Sequence, residues 1–174
     1  MKIAKRAIAA VALTLALSAA PALAQLAQPS VAAADSNSGP VSRQQALNTV
    51  IARGLSQRGV PYLYGGGNAA GPTRGTGVNA NTVGFDASGL MVYSFAGAGI
   101  KLPRTSSEQY NAGRKIAPAQ ARPGDLIFFG PGGSQSVAMY LGNGQMLEAT
   151  DPVVTVSSVR TASMTPYLTR IIDY

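Results

Sequence analysis

In Gly84-Phe85-Asp86-Ala87-Ser88-Gly89 small residues surround one carboxylate and one hydroxyl, and an apolar run from Leu90 to Phe95 follows at once. This pattern predicts a tight turn that delivers its middle residues onto the start of a helix, with Asp86 as N-cap and Gly99 closing the far end. A nucleophile just inside such a helix would be helped by the partial positive charge of its N-terminus, which favours a thiolate. The residue standing there is Ala87. A methyl group neither attacks a carbonyl nor carries charge, so the frame for covalent chemistry is present and the reacting atom is missing.

The chain contains no cysteine and no histidine. Cys–His and Ser–His dyads, disulfides, and zinc sites built on thiolate or imidazole are therefore excluded. Ser88 offers a hydroxyl about 100° further round the helix, but a Ser–Lys dyad would need Lys101 or Lys115, and no motif places either. Asp86 and Glu148 could in principle form the carboxylate pair of a glycan-cleaving enzyme, yet nothing in their spacing supports it. Gly65-Gly66-Gly67 is not followed by Gly-Lys-Ser/Thr, which removes the usual phosphate-cradle reading. No metal and no cofactor are expected.

Those residues must be positioned by a domain that occupies only part of the 174 residues. Lys2, Lys5 and Arg6 precede an apolar run from Ala7 to Leu17, and Pro21 and Ala22-Leu23-Ala24 follow, the three regions of a secretory signal peptide over residues 1–24. Its apolar stretch of about eleven residues falls short of the roughly 20 that span a bilayer. The mature protein is thus expected outside the membrane. The full-chain charge of +7 falls to +4 without Lys2, Lys5 and Arg6, and the remaining cations are scattered. With no tryptophan to stack bases, nucleic acid is not expected as a partner, and an anionic setting such as a cell wall is a fitting one. Residues 25–41, rich in Ala, Ser, Pro and Gln, read as a flexible linker.

A capping box at Ser42 and Gln45, with Leu47, Val50, Ile51 and Leu55 at helical spacing, predicts an amphipathic helix from Ser42 to about Arg58. Val60 to Tyr64 is extended, and Asn68 to Val83 is a long loop that would rim a cleft. Thr105 and Glu108 form a second capping box, opening a short helix to about Ala112. Strands then follow at 126–129, 136–141, 145–149, 153–159 and 167–174, separated by turns such as Gly142-Asn143-Gly144. Helices first and an antiparallel sheet second give an α+β domain over residues 42–174, with the helices packed on one face of the sheet.

The segments Pro61-Tyr62-Leu63-Tyr64-Gly65-Gly66, Gly84 to Leu90, Leu102-Pro103-Arg104-Thr105-Ser106, Arg122-Pro123-Gly124-Asp125-Leu126 and Gly133 to Gly142 resemble the NlpC/P60 domain over about residues 42–174. The stretches Gly65 to Val83 and Gly142 to Glu148 are similar to mycobacterial peptidoglycan endopeptidases of the Rip group, which includes a non-catalytic member. The resemblance implies a papain-like fold and a peptidoglycan stem peptide as ligand, cleaved in active relatives between D-glutamate and diaminopimelate. It implies that Ala87 and Ser136 stand where active members carry Cys and His, with Glu148 as the third polar residue. Neither replacement can act as nucleophile or base near neutral pH.

On this resemblance the chain is an exported pseudoenzyme of the cell wall, with Tyr62, Asp86 and Ser88 lining the subsite for the stem peptide's free amine and Arg104 beside the cleft. Asp86 would act as N-cap and amine ligand at once, while Tyr64 is assigned to packing and Arg104 equally to solvent. Glu148 is expected to face Ser136 as a partly buried carboxylate without its usual partner, bonded to Ser136, water or ligand, or else exposed on its strand. Other wall-remodelling proteins form a second class of partner, and a monomer is expected.

Overall fold

The computed structural model describes residues 40–76 and 81–174. The signal peptide and almost all of the linker lie outside the described residues. The linker boundary needs correction at its end, because helix α1 spans Pro40–Leu55 and so takes in residues 40 and 41. Ser42 consequently sits inside the first turn instead of capping it. At the other end the regular helix stops short of Arg58, and residues 56–58 continue as single turns, with Gln57 N–H donating to the Gly54 carbonyl at 3.0 Å.

Leu47 and Val50 are buried and Ile51 and Leu55 half-buried, so the expected apolar stripe is the face that packs. It packs on α2, Ala87–Ala96, in which Leu90, Met91 and Phe95 are wholly buried. Each such side chain contributes about 1.5–3 kcal/mol through burial. The two helices meet closely at Gly54, where a Cβ would stand 2.8 Å from Ser94 Oγ. Regular α2 ends at Ala96, and one further turn ends at Gly99 (φ +73°). There Gly99 N–H bonds the Ala96 carbonyl and Ile100 N–H the Phe95 carbonyl, the double closure that a left-handed residue after a helix provides.

Strands β1 (Thr73–Arg74) and β2 (Val83–Gly84) pair as a small ribbon within what the sequence presents as an unbroken loop. Helix α3 (Ser106–Tyr110) and strands β3 (Arg114–Ile116), β4 (Leu126–Phe129), β5 (Ser136–Gly142), β6 (Gln145–Ala149), β7 (Val154–Ser158) and β8 (Leu168–Arg170) complete the order. The six-stranded antiparallel sheet runs β3-β8-β4-β5-β6-β7. Strands β4 to β7 are the expected meander. At the β5–β6 turn, Asn143 (φ +50°) and Gly144 (φ +69°) supply the positive φ pair that a two-residue hairpin needs. The sequence reading misses β3, only three residues long, and makes β8 too long.

Alternation along the strands divides the core. Leu126, Phe128, Val137, Met139, Leu147 and Val154 face α1 and α2, and Tyr110 of α3 packs edge-on against Phe128. Ile127, Phe129, Ala138 and Met146 point to the other face, where Ile116, Leu168 and the partly buried Val159 and Met164 join them. The α+β, antiparallel architecture is as expected, with α1 to α3 on one face.

One polar pair lies inside this frame. The buried Arg170 on β8 donates through Nε and one terminal nitrogen to the two oxygens of Asp125, both at 2.7 Å, and the carboxylate also accepts from Arg122 N–H. Hydrogen bonding to Asp125 pushes the Arg170 guanidinium further up from its already high range.

Candidate functional site

The start of α2 is built by a close backbone approach. The loop at Gly66 passes so near α2 that a Cβ on Gly89 would lie 2.2 Å from the Gly66 carbonyl oxygen, so no larger residue fits there without moving the loop. Asp86 caps the helix as expected, accepting from Gly89 N–H at 2.6 Å. Its carboxylate also accepts from Ser88 Oγ at 3.2 Å and from Gly65 N–H at 3.0 Å.

Arg104 supplies the remaining donors. Its guanidinium reaches the two Asp86 oxygens at 3.0 and 2.7 Å, Ser88 Oγ at 2.9 Å and the Gly66 carbonyl at 3.0 Å. It is therefore an ion-paired member of the Asp86 cluster, with a side chain that remains 41% exposed to solvent. Its position is fixed by the next residues: the Thr105–Glu108 capping box forms as expected, and Gln109 Nε2 donates to the carbonyls of Ser88 and Pro103. Hydrogen bonds from Thr105 hold the Glu108 carboxyl below its usual range. Gln109 ties α3 to α2 and carries no signal in the sequence.

These groups open on a cleft of about 900 Å³. Tyr62, Asp86, Ala87, Ser88 and Arg104 line it together with Ser134, Gln135, Ser136, Thr150 and Asp151. Tyr62 is half-buried, and burial followed by the Asp86 charge pushes its hydroxyl above the ordinary phenol range, which keeps it a neutral donor. Tyr64 corrects its assignment to packing: it is 73% exposed and borders the cleft.

Ser136 opens β5 opposite Phe129 of β4. The pairing of Met139 with Leu147 puts Ser136 and Glu148 on one face of the sheet, but the two share no hydrogen bond among the described residues. Glu148 is 3% exposed, which removes the solvent-facing alternative. Its partners are Ser157 Oγ and an Arg160 terminal nitrogen, one on each oxygen, both donating at 2.6 Å. Arg160 also stacks 4.0 Å above the Phe129 ring and lines the cleft. Glu148 is thus buried without an imidazole as expected, but Ser157 and Arg160 take the place expected of Ser136. Arg160 lies beyond β7 in sequence, and only the sheet's register brings it to Glu148.

The arrangement holds charge and offers hydrogen bonds. Ser88 Oγ is engaged with Asp86 and Arg104, and neither Lys101 nor Lys115 lines the cleft. Lys115 instead caps the Tyr110 ring and carbonyl, where burial lowers its ammonium from the usual range. Asp86 and Glu148 are each ion-paired with their own arginine, a use unlike that of a glycosidase carboxylate pair.

The family model described as the NlpC/P60 family matches residues 59–173. Peptidoglycan endopeptidase RipA of Mycolicibacterium smegmatis is 65% identical over 133 residues, which cover 75% of this chain and 27% of that protein. The chain thus spans about a quarter of that relative's length. A solved structure of RipD from Mycobacterium tuberculosis, described as a non-catalytic NlpC/p60 domain protein with adaptation to peptidoglycan-binding function, is 66% identical with a TM-score of 0.71, covering 74% of this chain and 98% of that one. Solved structures of RipA altered at a cysteine, a histidine or a glutamate also match, the cysteine variant at 62% identity and a TM-score of 0.76 over 78% of this chain and 67% of its own. Those three positions are spaced along RipA as Ala87, Ser136 and Glu148 are spaced here. The extent of the family match and the identity to these relatives lead to one conclusion: the chain belongs to the NlpC/P60 family.

Proposed function

We propose that this chain is an exported, catalytically inactive NlpC/P60 domain that binds peptidoglycan stem peptides in the cell wall, where it scaffolds or regulates remodelling. The observation that carries the proposal is the pair Ala87 and Ser136, which line the cleft at the spacing of the altered RipA cysteine and histidine in a chain without either residue type. Loss of one triad member leaves only the residual rate, about 10³–10⁴ over water, that a hole and a binding site supply. Against a stable amide that is no useful turnover. In this reading the segment 1–24 directs export, residues 25–39 tether the domain, and Tyr62, Asp86, Ser88 and Arg104 receive the ligand.

Two results are expected. Muropeptides incubated with the purified protein keep their D-glutamate–diaminopimelate bonds by mass spectrometry, and any protein-dependent cleavage there would refute inactivity. The protein also sediments with insoluble peptidoglycan, with a Kd for a stem peptide between about 1 μM and 1 mM, or roughly −8 to −4 kcal/mol. Asp86→Asn is the informative substitution, because asparagine preserves an N-cap acceptor while removing the charge that would meet an ammonium. Binding should weaken at least about tenfold, or 1.4 kcal/mol. Unchanged binding by this variant would move the site out of the cleft.

A further inference from the structure

Arg160 has a side-chain exposure of 42%, while its partner Glu148 is 4% exposed. One terminal nitrogen is committed to Glu148, and the guanidinium carbon sits 4.0 Å from the centre of the Phe129 ring. The other edge, Nε with the second terminal nitrogen, makes no hydrogen bond among the described residues. That edge is a planar two-donor fork, the geometry that matches a carboxylate with two parallel bonds. Three constraints hold the fork in place before any ligand arrives: the buried carboxylate, the aromatic ring beneath it, and Ser157, which fixes the other oxygen of Glu148. A receptor already held in position loses little freedom on binding.

We infer that Arg160 is a carboxylate receptor in the cleft, so that the domain selects peptides bearing a free carboxylate at this end and disfavours their carboxamides. The inference rests on the stem-peptide reading and adds to it a named residue and a ligand charge. The cleft then holds both signs: Asp86, which is paired with Arg104, would meet an ammonium, and Arg160 would meet an anion. An amide in place of the carboxylate brings its NH₂ donors against N–H donors, which loses the pair and sets like against like.

The test compares the stem tripeptide L-alanyl-γ-D-glutamyl-diaminopimelate as free acid with the same tripeptide whose carboxyls are amidated, by calorimetry on the full chain. Arg160→Met alone would leave Glu148 buried without a counter-charge, so it is paired with Glu148→Gln, which keeps an acceptor for Ser157. Arg160→Lys keeps charge without the fork. The parent should bind the acid at least about tenfold more tightly than the amide. The paired variant should bind both alike, with Arg160→Lys in between. Equal binding of acid and amide by the parent, or undiminished preference in the paired variant, overturns the inference and leaves stem-peptide binding standing. If neither peptide binds, that reading falls. Succinate alone then decides on Arg160: a saturable shift of its Nε–H resonance upholds the receptor, and an unmoved resonance overturns it.

Discussion

Asp125→Ala should cost the fold about 3–5 kcal/mol, the loss typical when one partner of a buried ion pair is removed and the other charge stays behind. The stranded group would be Arg170, 4% exposed on a strand held between β3 and β4, with no solvent to take the place of Asp125. Its bond to the Gln120 carbonyl and a 4.0 Å approach to the exposed Asp173 would remain, and Arg122 N–H would lose its acceptor as well. Measured against a usual total of about 5–15 kcal/mol, this is a large share of the stability. The melting temperature should fall by roughly 10–20 °C for a domain of this size. Asp125→Asn separates charge from shape, since the amide keeps an acceptor for Arg122 but opposes N–H₂ to a guanidinium. It should lose most of the same free energy. Replacing both partners together, Asp125→Leu with Arg170→Met, should recover much of the loss, because no buried charge is then left unpaired. Unfolding in urea by two probes would measure all four proteins. A loss below about 0.5 kcal/mol for Asp125→Asn, well under the cost expected of a broken buried pair, would show that the pair is not a structural clamp.

What could be read from the sequence and what could not divide along range in the chain. The Asp86 cap, the Thr105–Glu108 box and the Asn143-Gly144 hairpin were legible, because each is written in residues close in sequence whose φ or hydrogen-bonding needs are local. The insertion of β8 between β3 and β4 was not, since a three-residue strand has no usable alternation and its place depends on partners far away in the chain. The candidate site divides in the same way. Ala87 and Asp86 were found from one turn, but the ion pair of Asp86 with Arg104 needs the path through Gln109, and the tie of Glu148 to Arg160 needs the sheet to close. Long charged side chains are hard to place from sequence because solvent is always an alternative partner. Tyr64 shows the opposite error: an aromatic before a glycine turn reads as core, yet the backbone turn directs it outward. Tyr64, Arg104 and Arg160 all line the cleft.

Ala87→Cys combined with Ser136→His should create endopeptidase activity that neither substitution gives alone. The new thiol would enter at the first residue of α2, where the helix N-terminus favours a thiolate, in a position only 9% exposed and therefore shielded from bulk water. Without a base only a few per cent of that thiol is ionised near neutral pH, and an imidazole without a nucleophile does nothing. A base correctly placed should add about 10²–10⁴ in rate to the cysteine variant. Ser136 and Glu148 lie on one face of the sheet, and the carboxylate, ion-paired to Arg160 and bonded to Ser157, still has lone pairs to receive an imidazole N–H. The same structure also sets a limit. Arg160 disfavours a positive charge on a neighbouring imidazolium, so the pair should remain well below a native enzyme even when correctly aligned. Turnover of a stem tetrapeptide, read by mass spectrometry for both single variants and the double, tests the expectation. Adding Glu148→Gln to the active double should then reduce the rate if the carboxylate orients the introduced imidazole. A folded double variant that binds the tetrapeptide and leaves it whole would mean that positions 87 and 136 no longer meet across the cleft.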